Sequence, residues 1–424
     1  MRRYFGTDGV RGVVGEDLTV ELVEQLGKAS TLWSRRGRVF VGRDTRGSGP
    51  ELEEAFARGV VAAGGNAVLA GVLPTPAVAL LALDLGVVIS ASHNPPEYNG
   101  VKFFDQHGSK LSDASEEEIE ALLDAPASRQ IQGGGGSIDR VSVYTESYLD
   151  HVLERFGTDL TGLRIAVDCA NGAYAGIAPE AFERLGADVT AIGDAPNGDN
   201  INEGCGATDL ALLQQTVREG GLDFGVAFDG DGDRMLAVDG DGNAVDGDQI
   251  LAILALHLKV DVVAVTVMTN LGFHRLMDER GVRVVTTPVG DRYVLEALRR
   301  ENGILGGEQS GHVICLRDHV TGDGLAAALL LCDAVRGRTL GEAAAVMPRY
   351  AQAKENVRVS RREVPQEALA EAERLNAELN GSGRVLVRAS GTEPLIRVLG
   401  EAETEEKALQ YCARIAALVK RELG

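Results

Sequence analysis

Cysteine is scarce and scattered. Cys169, Cys205, Cys315, Cys332 and Cys412 lie far apart, with no CxxC pair. An odd number so dispersed gives neither a zinc-ligand pattern nor a disulfide framework, and it fits reduced thiols in a cytosol. Cys315 and Cys332 sit in apolar runs and read as buried filler. Long hydrophobic stretches are also missing. The run over 326–332 is far too short to span a bilayer. Residues 1–6 hold no apolar segment of the kind a signal peptide needs. Basic residues are in deficit, 42 against 63 acidic ones, for a formal charge of −21. Such a field repels nucleic acid and anionic membranes, so neither is expected as a partner. It also means that an anionic ligand must be met by a few Arg and Lys residues concentrated locally. The acidic excess itself reads most simply as solubility.

What is present is ordinary globular material. Hydrophobic residues make up 44% of the 424-residue chain and charged residues 25%. At roughly 100–200 residues per domain, the length suggests about two to four domains. Short β-branched runs alternate with helical patterns. Strands are expected at 38–41, 67–70 and 87–90, with helices at 50–63 and 76–85. The rhythm returns as strands at 164–168, 188–192 and 224–228 with helices at 177–185 and 210–219. It returns again as strands at 262–267 and 282–287 with helices at 271–280 and 291–301. This alternation predicts three similar α/β domains with mixed or parallel sheets. A helix is expected at 143–156. From 353 onward the pattern changes to strands at 353–359, 384–388 and 395–400 with helices at 365–379 and 403–423. That predicts a smaller C-terminal α+β domain with an antiparallel sheet and helices on one face. The tetraglycine at 133–136 is a linker or a loose surface loop.

Four polar loops carry candidate chemistry. In Phe228-Asp229-Gly230-Asp231-Gly232-Asp233-Arg234, three carboxylates at alternate positions follow a predicted strand. Alternate side chains of extended backbone share a face, and the glycines let the chain curl until the three converge. Bare carboxylates so close repel, and a hard divalent cation relieves the repulsion. An EF-hand is excluded, because its sixth position would be Arg234 and its twelfth Gly240. The similar Asp239-Gly240-Asp241-Gly242-Asn243 lies between short apolar segments and reads as a hairpin turn.

Ser90-Ala91-Ser92-His93-Asn94-Pro95-Pro96 follows the strand at 87–90, where parallel α/β sheets place their chemistry. Ser92 is a candidate nucleophile and the adjacent His93 a candidate base, although a polar turn would look the same. In Gly307-Glu308-Gln309-Ser310-Gly311-His312, the side chains of Glu308, Ser310 and His312 alternate and could grip sugar hydroxyls; a plain loop is the alternative. Arg388-Ala389-Ser390-Gly391-Thr392-Glu393-Pro394, with Arg397 beyond it, combines guanidinium groups, hydroxyls and a glycine. It is a phosphate cradle or a tight turn, and it is not a Walker A loop. Further cations lie at Arg11, at Lys102 (ten residues after Ser92), and at Arg43 and Arg46, the last two reading as structural ion pairs.

Taken together, in this order, these loops resemble the α-D-phosphohexomutase superfamily over nearly the whole chain, from Tyr4 to about Arg397. Within it the similarity is closest to the bacterial subgroup that acts on glucosamine phosphates. It rests on Tyr4-Phe5-Gly6-Thr7-Asp8-Gly9-Val10-Arg11-Gly12, Val167-Asp168-Cys169-Ala170-Asn171-Gly172-Ala173 and Val289-Gly290-Asp291-Arg292-Tyr293-Val294, besides the serine loop and the segment 390–398.

The resemblance implies four domains around a central cleft: 1–155 for the phosphoserine, 156–254 for metal, 255–365 for sugar and 366–424 for phosphate, the last able to rotate. It implies an isomerase that interconverts glucosamine 6-phosphate and glucosamine 1-phosphate, on the way to UDP-N-acetylglucosamine and cell wall. Ser92 would be phosphorylated, and glucosamine or glucose 1,6-bisphosphate would be intermediate or activator. One Mg²⁺ per chain would be held by Asp229, Asp231, Asp233 and Ser92. Arg11, His93, Lys102 and Arg234 would serve the transfer, with His93 or Lys102 as the base. Glu308, Ser310 and His312 would hold the sugar, and Arg388, Ser390, Gly391, Thr392 and Arg397 the distal phosphate. A small sugar phosphate is the implied partner, the cytoplasm the implied location and a homodimer the common assembly among relatives. The competing readings are a phosphomannomutase or phosphoglucomutase of the same mechanism, a phosphatase, and a non-catalytic sugar-phosphate-binding regulator.

Overall fold

The computed structural model describes residues 3–6, 8–126, 128–131, 136–390 and 394–424. It divides into two compact units, Met1–Met268 with Arg283–Ala345, and Thr269–Val282 with Val346–Gly424. The expected tetraglycine break lies mostly outside the described residues. No helix among the described residues is long and apolar enough to cross a membrane. All five cysteines are free and buried.

The first unit opens with β1 (Val10–Val13), α1 (Val20–Ser34), β2 (Arg38–Arg43), α2 (Gly49–Ala62), β3 (Asn66–Val72), α3 (Thr75–Leu80), β4 (Leu85–Ile89), β5 (Tyr98–Asp105), α4 (Asp113–Glu120) and β6 (Ile138–Arg140). The strands form one mixed sheet in the order β1-β5-β4-β2-β3-β6. Strand β4, with every residue buried, sits at its centre, and Leu52, Phe56 and Val60 of α2 join the same core as Leu26 of α1. Helix α3 ends five residues short of the helix expected at 76–85. Leu85 is drawn into β4 beside β2, and Asp84 pairs with Arg38 at the start of β2, so the turn over 81–84 cannot stay helical. Strand β5 was not expected. It returns antiparallel along β4, pairing Val88 with Lys102, while β1 pairs Arg11 with Gly100. Alternate residues of a strand face the same way, so this register sets Arg11 and Lys102 on one face.

Helix α5 (Tyr144–Phe156) leads to β7 (Arg164–Asp168), α6 (Ile177–Arg184), β8 (Asp188–Ile192), α7 (Ala211–Gly220), β9 (Phe224–Phe228), β10 (Met235–Asp239) and β11 (Ala244–Val245). The second sheet runs β11-β10-β9-β7-β8. Strands β10 and β11 form the hairpin expected around Asp239, whose carboxylate accepts from the backbone N–H of Asp241 and of Asn243.

Helix α8 (Gly247–Leu258) starts with a capping box between Asp246 and Gln249. Strand β12 (Val262–Thr266) follows. Helix α9 (Leu271–Glu279) belongs to the second unit, and the chain returns to the first at β13 (Arg283–Thr287). Then come α10 (Asp291–Glu301), β14 (Leu305–Gly307), β15 (Val313–Cys315), α11 (Gly324–Ala334) and α12 (Leu340–Ala344). The third sheet runs β13-β12-β14-β15.

The second unit holds β16 (Ala351–Arg358), α13 (Gln366–Leu379), β17 (Gly383–Ala389), β18 (Leu395–Ala402) and α14 (Glu405–Leu423). Its sheet, β16-β18-β17, is antiparallel throughout. Ala372 and Leu375 of α13 and Cys412, Ile415 and Val419 of α14 share one core with Val385, Ile396 and Val398. The protein is thus three α/β domains followed by a smaller α+β domain.

Candidate active site

The ends of β4, β9 and β14, with Lys102 from within β5, deliver the site in the first unit. Ser92 follows β4 with φ +54, in the left-handed region that non-glycine residues rarely occupy. The strain is held by hydrogen bonds. Ser92 N–H donates to Ser90 Oγ at 2.9 Å, and Ser90 Oγ–H donates to Asp44 at 2.6 Å. Arg46, fully buried, is paired with Asp44 at 2.9 Å. Its guanidinium donates to the carbonyls of Ser92 (2.9 Å), Asn94 (2.8 Å), Tyr98 (2.9 Å) and Pro95. Arg46 is therefore the structural ion pair the sequence suggests, and it also fixes the serine loop. Arg43 pairs with Glu53 at 3.4 Å.

The loop after β9 brings Asp229, Asp231 and Asp233 together. One oxygen of each lies within 4.8 Å of the others, and all three side chains are buried. A Cβ at Gly230 would come within 2.7 Å of the Ser92 carbonyl, so glycine there is what lets the acidic loop approach the serine. Ser92 Oγ–H donates to Asp229 Oδ2 at 2.6 Å, and His93 Nδ1 lies 3.3 Å from Ser92 Oγ. Arg234 N–H donates to Asp229 Oδ1 at 3.1 Å, and its side chain lies 3.9 Å from Asp233.

Lys102 on β5 reaches Asp231 at 2.5 Å, Asp8 at 3.4 Å and Asp233 at 4.0 Å. Thr75 Oγ1–H donates to Asp231 Oδ2 at 2.5 Å. Arg11 pairs with Asp8. The turn after β14 brings His312 to 3.8 Å from Asp233, while its other ring nitrogen lies 3.5 Å from Asp291. Glu308 accepts from Gly290 N–H at 3.0 Å, and Ser310 lies exposed 3.5 Å from it. Of the residues singled out from sequence, Arg11, Ser92, His93, Lys102, Arg234, the Asp trio, Glu308, Ser310 and His312 all belong to this unit.

Three charged residues at the site, Lys110, Asp8 and Asp291, have no role legible in the sequence alone. Lys110 bridges Asp8 and Asp291 at 2.6 Å each. Asp8 and Asp291 occur in segments that carry the family resemblance, which was the available signal; Lys110 had none.

Burial raises Asp229 to about 8, helped by the neighbouring charges of Asp233 and Asp231. Asp233 moves the other way: burial opposes its charge, but Lys102, His312 and Arg234 hold it well below the usual carboxylate range. Burial also opposes the charge on His312, yet Asp233 and Asp291 outweigh it and raise the imidazole to about 9. His93 is pushed down to about 4 by burial and by Arg234 and Arg11. Buried oxygens of Asp231 (Oδ1) and Asp233 (Oδ1) have no hydrogen-bond donor among the described residues. A cluster of carboxylate oxygens, two of them without donors among the described residues, one acid driven toward its protonated form by burial and by its acidic neighbours, fits a hard divalent cation.

In the second unit, Arg388 on β17 stands directly opposite Arg397 on β18. Burial and Arg397 lower the Arg388 guanidinium. Ser390 is buried and its N–H donates to Leu395 O at 2.8 Å. Gly391 and Thr392 lie outside the described residues.

The phosphoglucomutase/phosphomannomutase family models match in order: α/β/α domain I over 2–130, domain II over 146–242, domain III over 246–350 and the C-terminal domain over 355–418. The phosphoglucosamine mutase of Thermobifida fusca is 48% identical, covering 100% of this chain and 99% of its own. That of Geobacillus thermodenitrificans is 46% identical over 100% of both. The chain belongs to the phosphoglucosamine mutase family. That family lies within the α-D-phosphohexomutase superfamily, and the chain is an isomerase of that class. In fold it is similar to a phosphoglucomutase/phosphomannomutase family protein of Burkholderia thailandensis (TM-score 0.83, 24% identity, covering 99% of this chain and 97% of that one). It is also similar to the N-acetylphosphoglucosamine mutase of Aspergillus fumigatus, whose structure holds GlcNAc-6P and magnesium (TM-score 0.74, 20% identity, covering 99% and 96%).

Proposed function

We infer that the chain interconverts glucosamine 6-phosphate and glucosamine 1-phosphate through a phosphorylated Ser92. The observation that carries this reading is the 2.6 Å contact of Ser92 Oγ with Asp229, on the edge of the buried Asp trio. Ser92 donates to one of the three clustered carboxylates. It is well placed to hand a phosphoryl group back and forth where a cation and fixed positive charges offset the phosphate. Phosphoserine 92 donates its phosphoryl group to the free sugar hydroxyl and yields a 1,6-bisphosphate. The bisphosphate turns, and its other phosphate returns to Ser92.

Asp229, Asp231, Asp233 and the Ser92 oxygen would hold one Mg²⁺ per chain, which supplies charge neutralisation to the phosphoryl oxygens. Arg11 and Arg234 orient those oxygens. His93 and Lys102 are the two candidates for proton transfer: burial, Arg234 and Arg11 push the imidazole down to about 4, while in Lys102 burial opposes the charge but Asp231 and Asp8 outweigh it and raise the ammonium. Glu308, Ser310 and His312 hold the sugar, the protonated His312 adding a positive charge. Arg388, Ser390, Gly391, Thr392 and Arg397 hold the distal phosphate. Like charges facing across neighbouring strands repel, and a phosphate dianion beside Arg388 and Arg397 relieves that repulsion.

The tasks follow the chain as 1–155, 156–254, 255–365 and 366–424, with borders at the end of α5 and within α8; the last border moves from 366 to ahead of β16, because β16 pairs with β18 in the C-terminal sheet. A cytoplasmic homodimer belongs to the same reading, and light scattering of the purified chain tests the dimer. A coupled assay on glucosamine 6-phosphate, with intact mass before and after turnover, tests the mechanism. Turnover by Ser92→Ala, or phosphate found only on other residues, would sink it. Phosphates of glucose and mannose run side by side test the choice of sugar, and release of inorganic phosphate without isomerisation would point to a phosphatase instead.

A further inference from the structure

Beneath the acidic loop lies a buried polar cluster that the reaction does not use directly. Tyr148 comes from α5, Tyr174 from the loop after β7, and Asp323 is the N-cap of α11. Both tyrosines are fully buried and Asp323 is 2% exposed. Tyr148 and Tyr174 each donate to Asp323 at 2.8 Å, and the two hydroxyl oxygens are 2.6 Å apart. His319 lies 3.1 Å from the same carboxylate, and His151 3.2 Å from His319. Capping α11 needs a single acceptor for Ala326 N–H, which Asp323 supplies at 3.0 Å, and a serine would suffice. A buried carboxylate gathering two tyrosines and a histidine besides is more than a cap requires, and burying it is costly unless each partner is held.

The cluster touches the acidic loop at its backbone. Gly324, the first residue of α11, donates its N–H to the carbonyl of Gly232 at 3.0 Å. Gly232 lies between Asp231 and Asp233. A Cβ there would overlap the Tyr174 ring, so the ring is seated against the loop itself. The same ring packs on Phe228 at 4.7 Å between centroids, immediately before Asp229. Three carboxylates that repel one another push this loop open, and the contacts to Gly324 and Tyr174 resist the push from below.

We propose that Asp323, Tyr174 and Tyr148 are positioning residues that hold the acidic loop in its cation-binding shape through Gly324 and Gly232. The proposal rests on the reading of the Asp trio as the cation site. Their hydroxyl and carboxylate groups act on geometry, and none of the three touches the sugar phosphate.

The test is calorimetric titration of the full chain with Mg²⁺ alone, for wild type, Tyr174→Phe, Tyr148→Phe and Asp323→Asn, with thermal melts and steady-state kinetics on each. Tyr174→Phe and Asp323→Asn should weaken Mg²⁺ binding about tenfold, the size expected when a group supporting a metal's ligands is lost. The kcat should fall while KM for the sugar phosphate stays. Tyr148→Phe should shift Mg²⁺ binding in the same direction by less. If Asp323→Asn fails to fold, the two tyrosine variants, which keep their rings, decide alone. Lower melting temperatures with unchanged Mg²⁺ affinity would mean the cluster is only a structural cap, and would overturn the proposal. Wild-type protein that takes up no Mg²⁺ would overturn the reading of the trio and this inference with it; wild-type uptake with unaltered variants overturns this inference alone.

Discussion

The Lys102 ammonium lies 2.5 Å from Asp231 Oδ2, and both side chains are only 1% exposed. Removing one member of a buried pair strands the other's charge, at about 3–5 kcal/mol. Lys102→Met should therefore lose stability of that order in chelated protein. Added Mg²⁺ should recover part of it, because the cation takes over the neutralisation of Asp231. Urea unfolding with EDTA and with Mg²⁺ reads both effects. A chelated midpoint equal to wild type would mean the pair is not formed.

The two acidic loops should behave differently. Asp229→Ala, Asp231→Ala and Asp233→Ala should each weaken Mg²⁺ binding and remove most turnover. Asp241→Ala should do neither, because only its backbone N–H takes part in the hairpin around Asp239. Magnesium titration of the four variants checks the contrast, and an equal loss in Asp241→Ala contradicts it.

His312 carries a pH signature. Its folded value near 9 stands above the ordinary 6.5, so the folded state binds the proton more tightly. The stabilisation is complete below about 6.5 and is lost as pH rises through about 9, an effect on the order of 3 kcal/mol. In EDTA, the stability gap between wild type and His312→Gln should be widest near pH 6 and should shrink by pH 10. Urea midpoints across that range test it, and a gap that widens with pH reverses the assignment of Asp233 and Asp291 as its partners.

Arg388→Ala should raise KM for sugar phosphate ten- to hundredfold and release more free 1,6-bisphosphate. With a net charge of −21 the chain has no general attraction for a dianion, so each charge-assisted contact, about 1.5–3 kcal/mol, counts. Mg²⁺ binding should be unchanged, because the acidic loop belongs to the other unit. Trapping labelled bisphosphate decides it: wild-type KM with no extra leakage would make Arg388 a structural residue.

The parts of this site that could be read from sequence are those built from neighbours in the chain. The Asp trio sits on five consecutive residues, and its alternate spacing with glycines already implied convergence. Ser92 announced itself by following a buried strand. Helices and strands with clean periodicity, such as α10 and β7, fell where expected. What could not be read depends on distant partners. Lys110 has no local motif, and its meaning comes from Asp8 and Asp291 meeting it from either end of the first unit. Tyr148 and Tyr174 look like ordinary core aromatics until Asp323, far along the chain, arrives beside them. Helix α3 was overrun because local propensity does not record that Leu85 is wanted by a sheet. The positive charge on His312 is likewise a product of assembly, since an ordinary imidazole is mostly neutral at pH 7 and only Asp233 and Asp291 raise this one to about 9.

Arg46 ties four backbone carbonyls of the serine loop to one buried guanidinium. An anchorage of that kind leaves the nucleophile a single address. A group that must serve both ends of the same sugar from one address cannot travel between them, so the small molecule does the travelling past a fixed serine. Loosening the anchor would trade one well-defined phosphoryl position for a spread of them, and water would compete for the strays.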